Sequence, residues 1–376
     1  MPPPARDSKK QPRSAEDYFI ETVETLGYEG LRRQYDQLKR FVPPDMTMEM
    51  YKANVDRNRY PDVWCLDTTR VILAPGPGRM PNKPGPVSPT ISPTDSEEDG
   101  PPTSHTDYIH ANYVREHPKY GGPITYICTQ GPLNRQRVDT RVEFWRMVWQ
   151  QRVPLVIMLC DNVENGQQKC DAYYPHTVQS NALQIGAINI KCESVHQVSI
   201  PPSDTIIISQ LILSIPTACR TDNPDELECR RVVHLKVANW PDKSVPKHSA
   251  VVLWIARFLR RFVGRNVVVH CSAGIGRSGC LVAISIAVEQ LRRKAAVNVM
   301  EIMRSMRYQR LHVVQTEMQY HFIHRALLSY ILRDKPLSPL CAQFAAEYKQ
   351  NRDQIELDHQ QQRQWVAQTF GNARGL

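Results

Sequence analysis

The chain has 376 residues, of which 41% are hydrophobic and 23% charged, as in one large or two ordinary globular domains. Its net charge of +9 suits phosphorylated substrates, nucleic acid or an anionic membrane surface. No basic run with interleaved aromatic residues argues for nucleic acid, and no stretch is long and uncharged enough for an integral membrane segment.

The chain begins with a polar stretch, residues 1–13, which is predicted to form a disordered tail. It contains no apolar core of the kind that a signal peptide needs. The 10 cysteines of the chain lack paired spacing and lie mostly in apolar runs. This pattern is typical of free thiols in a reducing compartment, so we expect a cytoplasmic protein.

The first helical pattern follows this tail. Ser14 and Asp17 have the spacing of a capping box, and apolar residues then recur at helical intervals as far as Leu38. Gly27 and Gly30 interrupt the pattern, which predicts two short helices.

Residues 74–106 are rich in Pro and Gly and nearly lack large apolar side chains. Such a segment cannot bury enough surface to become ordered, and strand-like patterns flank it on both sides. We interpret it as a disordered insertion within one domain that spans residues 14–335. Ser88, Ser92 and Ser96 precede Pro or acidic residues and are candidate phosphorylation sites, although an unmodified spacer explains the segment equally well.

The second half of the chain alternates between strand and helix patterns. Residues 153–237 are mostly strand-like, and residues 267–269 predict a short strand buried on both faces. Helical periodicity is found at residues 250–262, 276–292, 298–307 and 316–333. The helix at 276–292 is nearly all apolar, so we expect it in the core.

The last segment, residues 336–376, is a polar, Gln-rich tail. Phe344, Tyr348 and Ile355 form a thin apolar stripe at helical spacing. We expect a solvent-exposed helix there, and a partner-binding helix is the alternative.

The string HCSAGIGRSG at residues 270–279 lies between the buried strand and the core helix. A loop at a helix N-terminus directs backbone N–H groups and the positive end of the helix dipole at one point, and its glycines let it curl around an anion. The same field lowers the pKa of a cysteine, here Cys271. Arg277 is placed to grip two phosphate oxygens. A structural cysteine beside a surface arginine is the alternative.

This string resembles the signature loop of the phosphotyrosine-specific, non-receptor protein tyrosine phosphatases, and the resemblance extends over about residues 30–333. It implies an α/β fold, with a highly twisted mixed sheet flanked by helices and the nucleophile loop between a central strand and a core helix. It also implies hydrolysis of phosphotyrosine in proteins through a cysteinyl-phosphate on Cys271, with no metal and no cofactor. Phosphotyrosine-containing proteins would be the partners, and the oligomeric state stays open.

Two further motifs resemble parts of the same family. WPD at residues 240–242 resembles the mobile acid loop, in which Asp242 protonates the leaving phenolate and then activates water. NRYPDV at residues 58–63 resembles the recognition loop. There, Tyr60 would stack on the substrate ring and make the pocket too deep for phosphoserine, and Asp62 would accept hydrogen bonds from the substrate backbone.

The motif QTEMQY at residues 315–320 resembles the segment in which Gln315 positions the hydrolytic water and Gln319 assists it. Glu164 and Lys169 match a loop beside the active site, in which the lysine contacts Asp242 or the phosphate. Ser278 is counted with the catalytic residues. The resemblance also assigns substrate binding to the signature-loop residues Ser272, Ala273, Gly274, Ile275 and Gly276.

Some positions depart from the family pattern. His110 stands where Asn is usual, and Lys243-Ser244 stands where an aromatic residue or His is followed by Gly. We expect Ser244 to carry a left-handed backbone cost that lowers the closed population of the acid loop. Arg307 and Arg310 are expected at the surface, as part of a basic rim or as ordinary solvated residues.

Two other function classes stay open. One is a pseudophosphatase that binds phosphotyrosine without turnover, which the complete set of Cys271, Arg277, Asp242 and Gln315 disfavours. The other is a broad phosphatase for phosphoserine or lipid phosphate, which Tyr60 and the absence of extra Lys in the signature loop disfavour. Turnover of phosphotyrosine and phosphoserine peptides separates all three.

Overall fold

The structure is a computed structural model and describes residues 14–75, 106–116, 121–216, 227–333 and 335–370. The predicted tail at 1–13 and nearly all of the predicted insertion at 74–106, with its three serines, lie outside these residues, so both stay predictions. No helix within the described ranges is both long and apolar enough to span a membrane.

Each predicted helix of the second half is present, with the pattern at 250–262 ending in a 3₁₀ turn. The described residues contain eight α-helices: α1 (Ala15–Arg40), α2 (Glu49–Ala53), α3 (Arg141–Gln150), α4 (Ala250–Leu259), α5 (Gly276–Arg292), α6 (Val299–Arg307), α7 (Glu317–Leu332) and α8 (Pro339–Phe370).

The same residues contain thirteen strands: β1 (Arg70–Ile72), β2 (Tyr108–Arg115), β3 (Thr125–Thr129), β4 (Asn134–Arg135), β5 (Val138–Asp139), β6 (Leu155–Met158), β7 (Val163–Glu164), β8 (Gln167–Gln168), β9 (Leu183–Ile185), β10 (Ile188–Ile200), β11 (Asp204–Pro216), β12 (Leu227–Val237) and β13 (Asn266–His270). Nine of them form one mixed sheet in the order β1-β2-β3-β13-β6-β12-β11-β10-β9. The strands β4 and β5 form one small hairpin, and β7 and β8 form another.

The central strand β13 positions the signature loop. It pairs in parallel with β3 and β6, so that Val269 lies opposite Cys128 on one side and Ile157 on the other. Its β-branched residues are fully buried, as expected for a strand covered on both faces. Helix α5 starts directly after the loop and packs against α4, α6 and α7. The predicted α/β class, with the nucleophile loop between a central strand and a core helix, is confirmed.

Helix α1 begins at the predicted capping box, where the Asp17 amide donates to Ser14 Oγ at 3.0 Å. The predicted break occurs at Gly27, whose φ of 57° and ψ of −168° kink the helix. The predicted break at Gly30 is wrong. Gly30 is helical and buried, and it lies close against Leu26, where a glycine lets the helix continue without a side-chain clash.

The expected solvent-exposed helix in the C-terminal tail is wrong for the first half of α8. Cys341, Phe344 and Tyr348 are buried in the core, and α8 packs against α1 and α7. The apolar stripe is thin, but these residues recur on one helical face, which is enough to dock the helix. The predicted division between a domain at 14–335 and a tail at 336–376 stays a prediction.

The two described ends of the predicted insertion meet at Arg146 in α3. Its guanidinium donates to the Ala74 carbonyl at 2.7 Å and to the Thr106 carbonyl at 3.1 Å. The Leu73 amide also donates to the Asp107 carbonyl at 3.0 Å. The chain therefore leaves the sheet after β1 and returns to it before β2 at a single point.

Candidate active site

The signature loop turns sharply between β13 and α5. Gly274 has a φ of 70°, and a Cβ atom at this position would lie only 2.0 Å from the Thr129 carbonyl oxygen. Any other residue therefore meets both backbone strain and a clash with backbone. The loop curls tightly over the end of β3 because glycine is present at this position.

Cys271 lies at the floor of an open cavity of about 740 Å³ and is 4% exposed. The Gly274 amide donates to its Sγ at 3.3 Å. Burial raises the pKa of the thiol, but the charge of Arg277 and hydrogen bonds from Ser278 and Gly274 outweigh it, so the pKa lies below its ordinary value. The Ser278 hydroxyl is buried and, among the described residues, has no hydrogen bond of good geometry, but it faces the sulphur and helps to lower the pKa of the thiol.

Arg277 is held in the cavity wall by two carboxylates and a carbonyl. Glu164 accepts from Nη1 at 2.6 Å and from Nη2 at 3.1 Å, a bidentate pair. The Trp240 carbonyl accepts from Nη1 at 2.8 Å, and Asp242 accepts from Nη2 at 3.2 Å. Burial lowers the pKa of Arg277, but Cys271 and Glu164 raise it further, so the guanidinium stays charged.

Asp242 reaches into the same cavity from the acid loop. Its second oxygen accepts from Lys169 Nζ at 2.8 Å. Burial raises the pKa of Asp242, but its contacts with Lys169 and Arg277 outweigh burial and hold the pKa below its usual value. In the ligand-free protein this carboxyl group is therefore ionised at neutral pH.

The acid loop carries its backbone strain at a different residue from the one expected. Lys243 has the left-handed φ of 55°, whereas Ser244 does not adopt a positive φ. The expected cost at Ser244 is therefore wrong in position. Ser244 is buried, and its carbonyl accepts a hydrogen bond from Trp240 Nε1 at 3.1 Å. These contacts fix the backbone of Ser244, so the left-handed conformation falls on Lys243, the residue before it. Thr316 Oγ1 donates to the Lys243 carbonyl at 3.3 Å and ties the loop to the start of α7.

Tyr60 forms one wall of the cavity and contacts the signature loop directly. Its hydroxyl lies 2.8 Å from Ser272 Oγ, which itself donates to the Lys169 carbonyl at 2.7 Å. Because the Ser272 proton is used in that bond, the Tyr60 hydroxyl donates to Ser272. Asp62 is exposed at the mouth of the same cavity, and Arg59 fixes the recognition loop by donating to the Pro132 carbonyl at 2.7 Å.

Gln315 and Gln319 approach the start of α5 closely. A Cβ at Gly276 would lie 3.2 Å from Gln315 Oε1 and 3.1 Å from Gln319 Nε2, so glycine makes room for both amides. Gln319 also has a structural task, because its Oε1 accepts from the Gln315 amide at 2.9 Å and completes the capping box of Thr316.

The structure brings the predicted site residues together around one cavity. Only Gly274, Ile275 and Ser278 of that set do not line it, and all three are buried beneath it in the signature loop. The cavity wall comprises Tyr60, Asp62, Lys169, Asp242, Cys271, Ser272, Ala273, Gly276, Arg277, Gln315 and Gln319 from the predicted set. His359 of α8 lines the cavity as well, and the only sequence signal for this is its place on the same helical face as Tyr348.

The expectation that Arg307 and Arg310 lie at the surface is wrong. Both are buried, and each guanidinium is stabilised there by hydrogen bonds that it donates to buried backbone carbonyls. Arg310 donates to the Ala273 carbonyl at 2.9 Å and to the Gly274 carbonyl at 3.3 Å, which fixes the signature loop. Arg307 donates to the carbonyl of Val313 and also to that of Leu38.

His110 links Arg310 to the recognition loop. Its Nδ1 faces Arg310 Nη2 at 3.1 Å, and its Nε2 lies 2.8 Å from the Val63 carbonyl. Because an arginine only donates, Nδ1 accepts and Nε2 carries the proton. Burial and the charge of Arg310 lower the pKa of His110 to about 3, so the ring is neutral.

Comparison with known proteins gives consistent results. The model of the family described as "Protein-tyrosine phosphatase" matches residues 54–329. Tyrosine-protein phosphatase 99A of Drosophila melanogaster is 32% identical over 311 residues, which cover 80% of this chain and 21% of that protein. Tyrosine-protein phosphatase non-receptor type 9 of Rattus norvegicus is 29% identical over 84% of this chain and 49% of that protein. The chain thus spans about half or less of the length of these relatives.

Solved structures agree in fold. The catalytic domain of human protein tyrosine phosphatase non-receptor type 18 superposes with a TM-score of 0.65 and 26% identity, covering 84% of this chain and 99% of that one. A structure of PTPN18 in complex with HER2-pY1196 phosphopeptides superposes with a TM-score of 0.64. With the signature loop and the family match over residues 54–329, these results show that the chain belongs to the protein-tyrosine phosphatase family.

Proposed function

We propose that this protein hydrolyses phosphotyrosine in proteins, with Cys271 as nucleophile. The observation that carries the proposal is the position of the Cys271 sulphur. It lies buried at the floor of an open cavity, with a lowered pKa, between the amides of the signature loop and the charged Arg277. A thiolate beside an anion-binding loop is suited to attack a bound phosphoryl group.

In the first step, the Cys271 thiolate attacks phosphorus, the S–P bond forms and the bond from phosphorus to the phenolic oxygen breaks. Arg277 and the loop amides stabilise the charge on the phosphoryl oxygens. Asp242 supplies the proton to the leaving phenolate. It is ionised in the empty site, and the negative charge of the bound phosphate raises its pKa and favours its protonated form.

In the second step, water attacks the phosphorus of the cysteinyl-phosphate. Asp242, now ionised, accepts the proton of that water, the S–P bond breaks, and inorganic phosphate and the thiolate are released. Gln315 faces the same cavity near Gly276 and is the proposed positioning group for the water, with Gln319 beside it.

The proposed substrates are phosphotyrosine-containing proteins. Tyr60 and Asp62 line the mouth of a cavity whose floor is Cys271, so a long aryl phosphate reaches the sulphur more readily than a phosphoserine does. PTPN18, whose structure includes phosphotyrosine peptides, has a similar fold. The nine cysteines within the described ranges are free thiols, which supports a reducing, cytoplasmic location as part of the proposal.

The test compares phosphotyrosine and phosphoserine peptides of the same sequence. We expect turnover of the phosphotyrosine peptide alone, and loss of that turnover in Cys271→Ser, because a serine hydroxyl is not ionised at neutral pH. Cys229→Ser is the control, since Cys229 is an exposed free thiol. Binding without turnover by the unmodified protein would indicate a pseudophosphatase, and equal turnover of both peptides would indicate a broad phosphatase.

A further inference from the structure

Helix α8 extends from the core to the acid loop along one face. Phe344 and Tyr348 are buried, and Arg352, one turn later, donates from Nη1 to the Lys247 carbonyl at 2.8 Å. His359 follows two turns after Arg352 on the same face. The helix is thus anchored twice before it reaches the catalytic cavity.

His359 lies at the mouth of the catalytic cavity on the side of the acid loop. It lines the 740 Å³ cavity together with Lys243 and Asn165. It also lines a second cavity of about 380 Å³, which Pro241 and Ser244 of the acid loop line as well. The side chain therefore spans the outer surface of the acid loop and is half-buried there. It lies outside the residues that the family model matches.

The chemistry of the mouth differs between its sides. Asp62 supplies a carboxylate beside Tyr60, whereas the acid-loop side presents the Lys243 ammonium and the His359 imidazole. Lys169 forms an ion pair with Asp242 and is buried. An imidazole and an ammonium both donate hydrogen bonds, and their natural partner in a peptide is a carboxylate.

We propose that His359 is a specificity-determining residue that contacts an acidic side chain next to the phosphotyrosine of a protein substrate. This inference rests on the proposed phosphatase activity. Because His359 occupies one side of the mouth, it acts on peptide residues on one side of the phosphotyrosine only.

The experiment uses the full chain and three phosphotyrosine peptides: a neutral parent, one with Glu residues before the phosphotyrosine, and one with Glu residues after it. The variants are His359→Ala and His359→Glu. The matched control is Asp358→Asn, which changes the charge of the same helical turn at an exposed residue that does not line the cavity. Hydrolysis of p-nitrophenyl phosphate reports on the reaction itself in every variant.

We expect the unmodified protein to prefer one of the two acidic peptides over the neutral one by about two- to fivefold in kcat/KM, as for a single hydrogen-bonded contact near the surface. His359→Ala should lose this preference, His359→Glu should disfavour the same peptide, and Asp358→Asn should keep the preference. The preference is the ratio of kcat/KM for an acidic peptide to kcat/KM for the neutral peptide in the same variant, so a change in the reaction itself, which p-nitrophenyl phosphate reports, cancels from it.

Equal kcat/KM values for the three peptides in the active, unmodified protein would overturn the inference. So would a His359→Ala variant that keeps the preference, or a loss that affects both acidic peptides equally. Failure of the unmodified protein to hydrolyse any of these substrates would instead overturn the proposed phosphatase activity.

Discussion

Gly274 adopts its left-handed conformation directly beneath the Thr129 carbonyl. Gly264, in the turn before β13, has a similar φ of 76°, but a Cβ there would meet no atom within 4 Å. A substitution at Gly264 therefore has only the cost of the left-handed backbone, whereas a substitution at Gly274 has that cost and a steric clash as well.

We predict that Gly274→Ala lowers kcat by about 100-fold or more, because the clash displaces the amides that surround Cys271. Gly264→Ala should retain kcat and lose only about 1–2 kcal/mol of unfolding free energy. Denaturant unfolding and aryl phosphate hydrolysis measure both effects. Equal losses of activity in the two variants would contradict this account of the loop.

The ion pair between Lys169 and Asp242 sets the pH range in which the acid is protonated. Turnover requires protonated Asp242, so kcat falls as the pH rises above the pKa of Asp242 in the complex. Lys169 lowers that pKa. Lys169→Met should therefore shift the descending limb of the kcat–pH profile to higher pH.

Lys243→Met provides a graded comparison, because Lys243 has a smaller lowering effect on the same pKa than Lys169. Lys243→Met should therefore shift the descending limb of the kcat–pH profile to higher pH as well, but by less than Lys169→Met does. A limb that stays in place in Lys169→Met, or moves to lower pH, would rule out this pairing in the working enzyme.

Residues that act through their own chemistry were predictable from the sequence, since Cys271, Arg277 and Asp242 belong to recognisable strings. Glu164 was predicted only to lie in a loop beside the active site, without its partner, and Arg310 was expected at the surface. Glu164 is one carboxylate in a hairpin, and only the folded chain pairs it with Arg277. Arg310 donates to backbone carbonyls, and because every residue has a backbone carbonyl, no residue type in the sequence indicates such a contact.

Among the elements, the acid loop holds Asp242 against Lys169 and Arg277, which we take as its closed form, and it carries a strained residue. Lys243 has a φ of 55°, which costs a non-glycine residue about 1–2 kcal/mol. If open and closed forms exchange and the open form does not share this φ, the strain reduces the closed population.

We predict that Lys243→Gly has a kcat several times that of Lys243→Ala. Both variants remove the charge, so their difference isolates the backbone cost, and about 1 kcal/mol corresponds to about fivefold. Ser244→Gly should give no increase, since Ser244 lacks a positive φ. Equal kcat values for the Gly and Ala variants at saturating substrate would contradict the prediction.

The helices show which features can be predicted from the spacing of apolar and capping residues in the sequence. The nearly all-apolar pattern of α5 placed it in the core, and the capping box placed the start of α1. The docking of α8 was missed because Phe344 and Tyr348 are a small apolar fraction of a polar segment. Their burial depends on the facing surfaces of α1 and α7, which no local pattern encodes.

At the scale of the whole molecule, Arg146 joins the two described ends of the predicted insertion. One guanidinium binds the carbonyls of both Ala74 and Thr106, so the two ends are held together whatever lies between them. Loop length itself has a small free-energy cost, which grows only with the logarithm of the number of residues.

We predict that replacing residues 76–104 with a short Gly-Ser linker preserves the fold and the hydrolysis of aryl phosphate. A Gly-Ser segment of the original length is the control that separates length from sequence. Thermal unfolding and kcat/KM are the measurements. Insoluble protein or lost activity in the shortened chain would show that the segment is part of the folded domain.

The chain carries a net charge of +9, but the charged groups around its catalytic cavity do not share this excess of positive charge. Arg277 and Lys169 are paired with Glu164 and Asp242, so these four groups leave the empty cavity without excess positive charge. A phosphate dianion therefore enters with the uptake of about one proton, because Asp242 gives up its two cations to the ligand. The heat of oxyanion binding should thus vary with the ionisation enthalpy of the buffer. Release of inorganic phosphate becomes easier as the pH rises, since the ionised Asp242 competes with the product for Arg277.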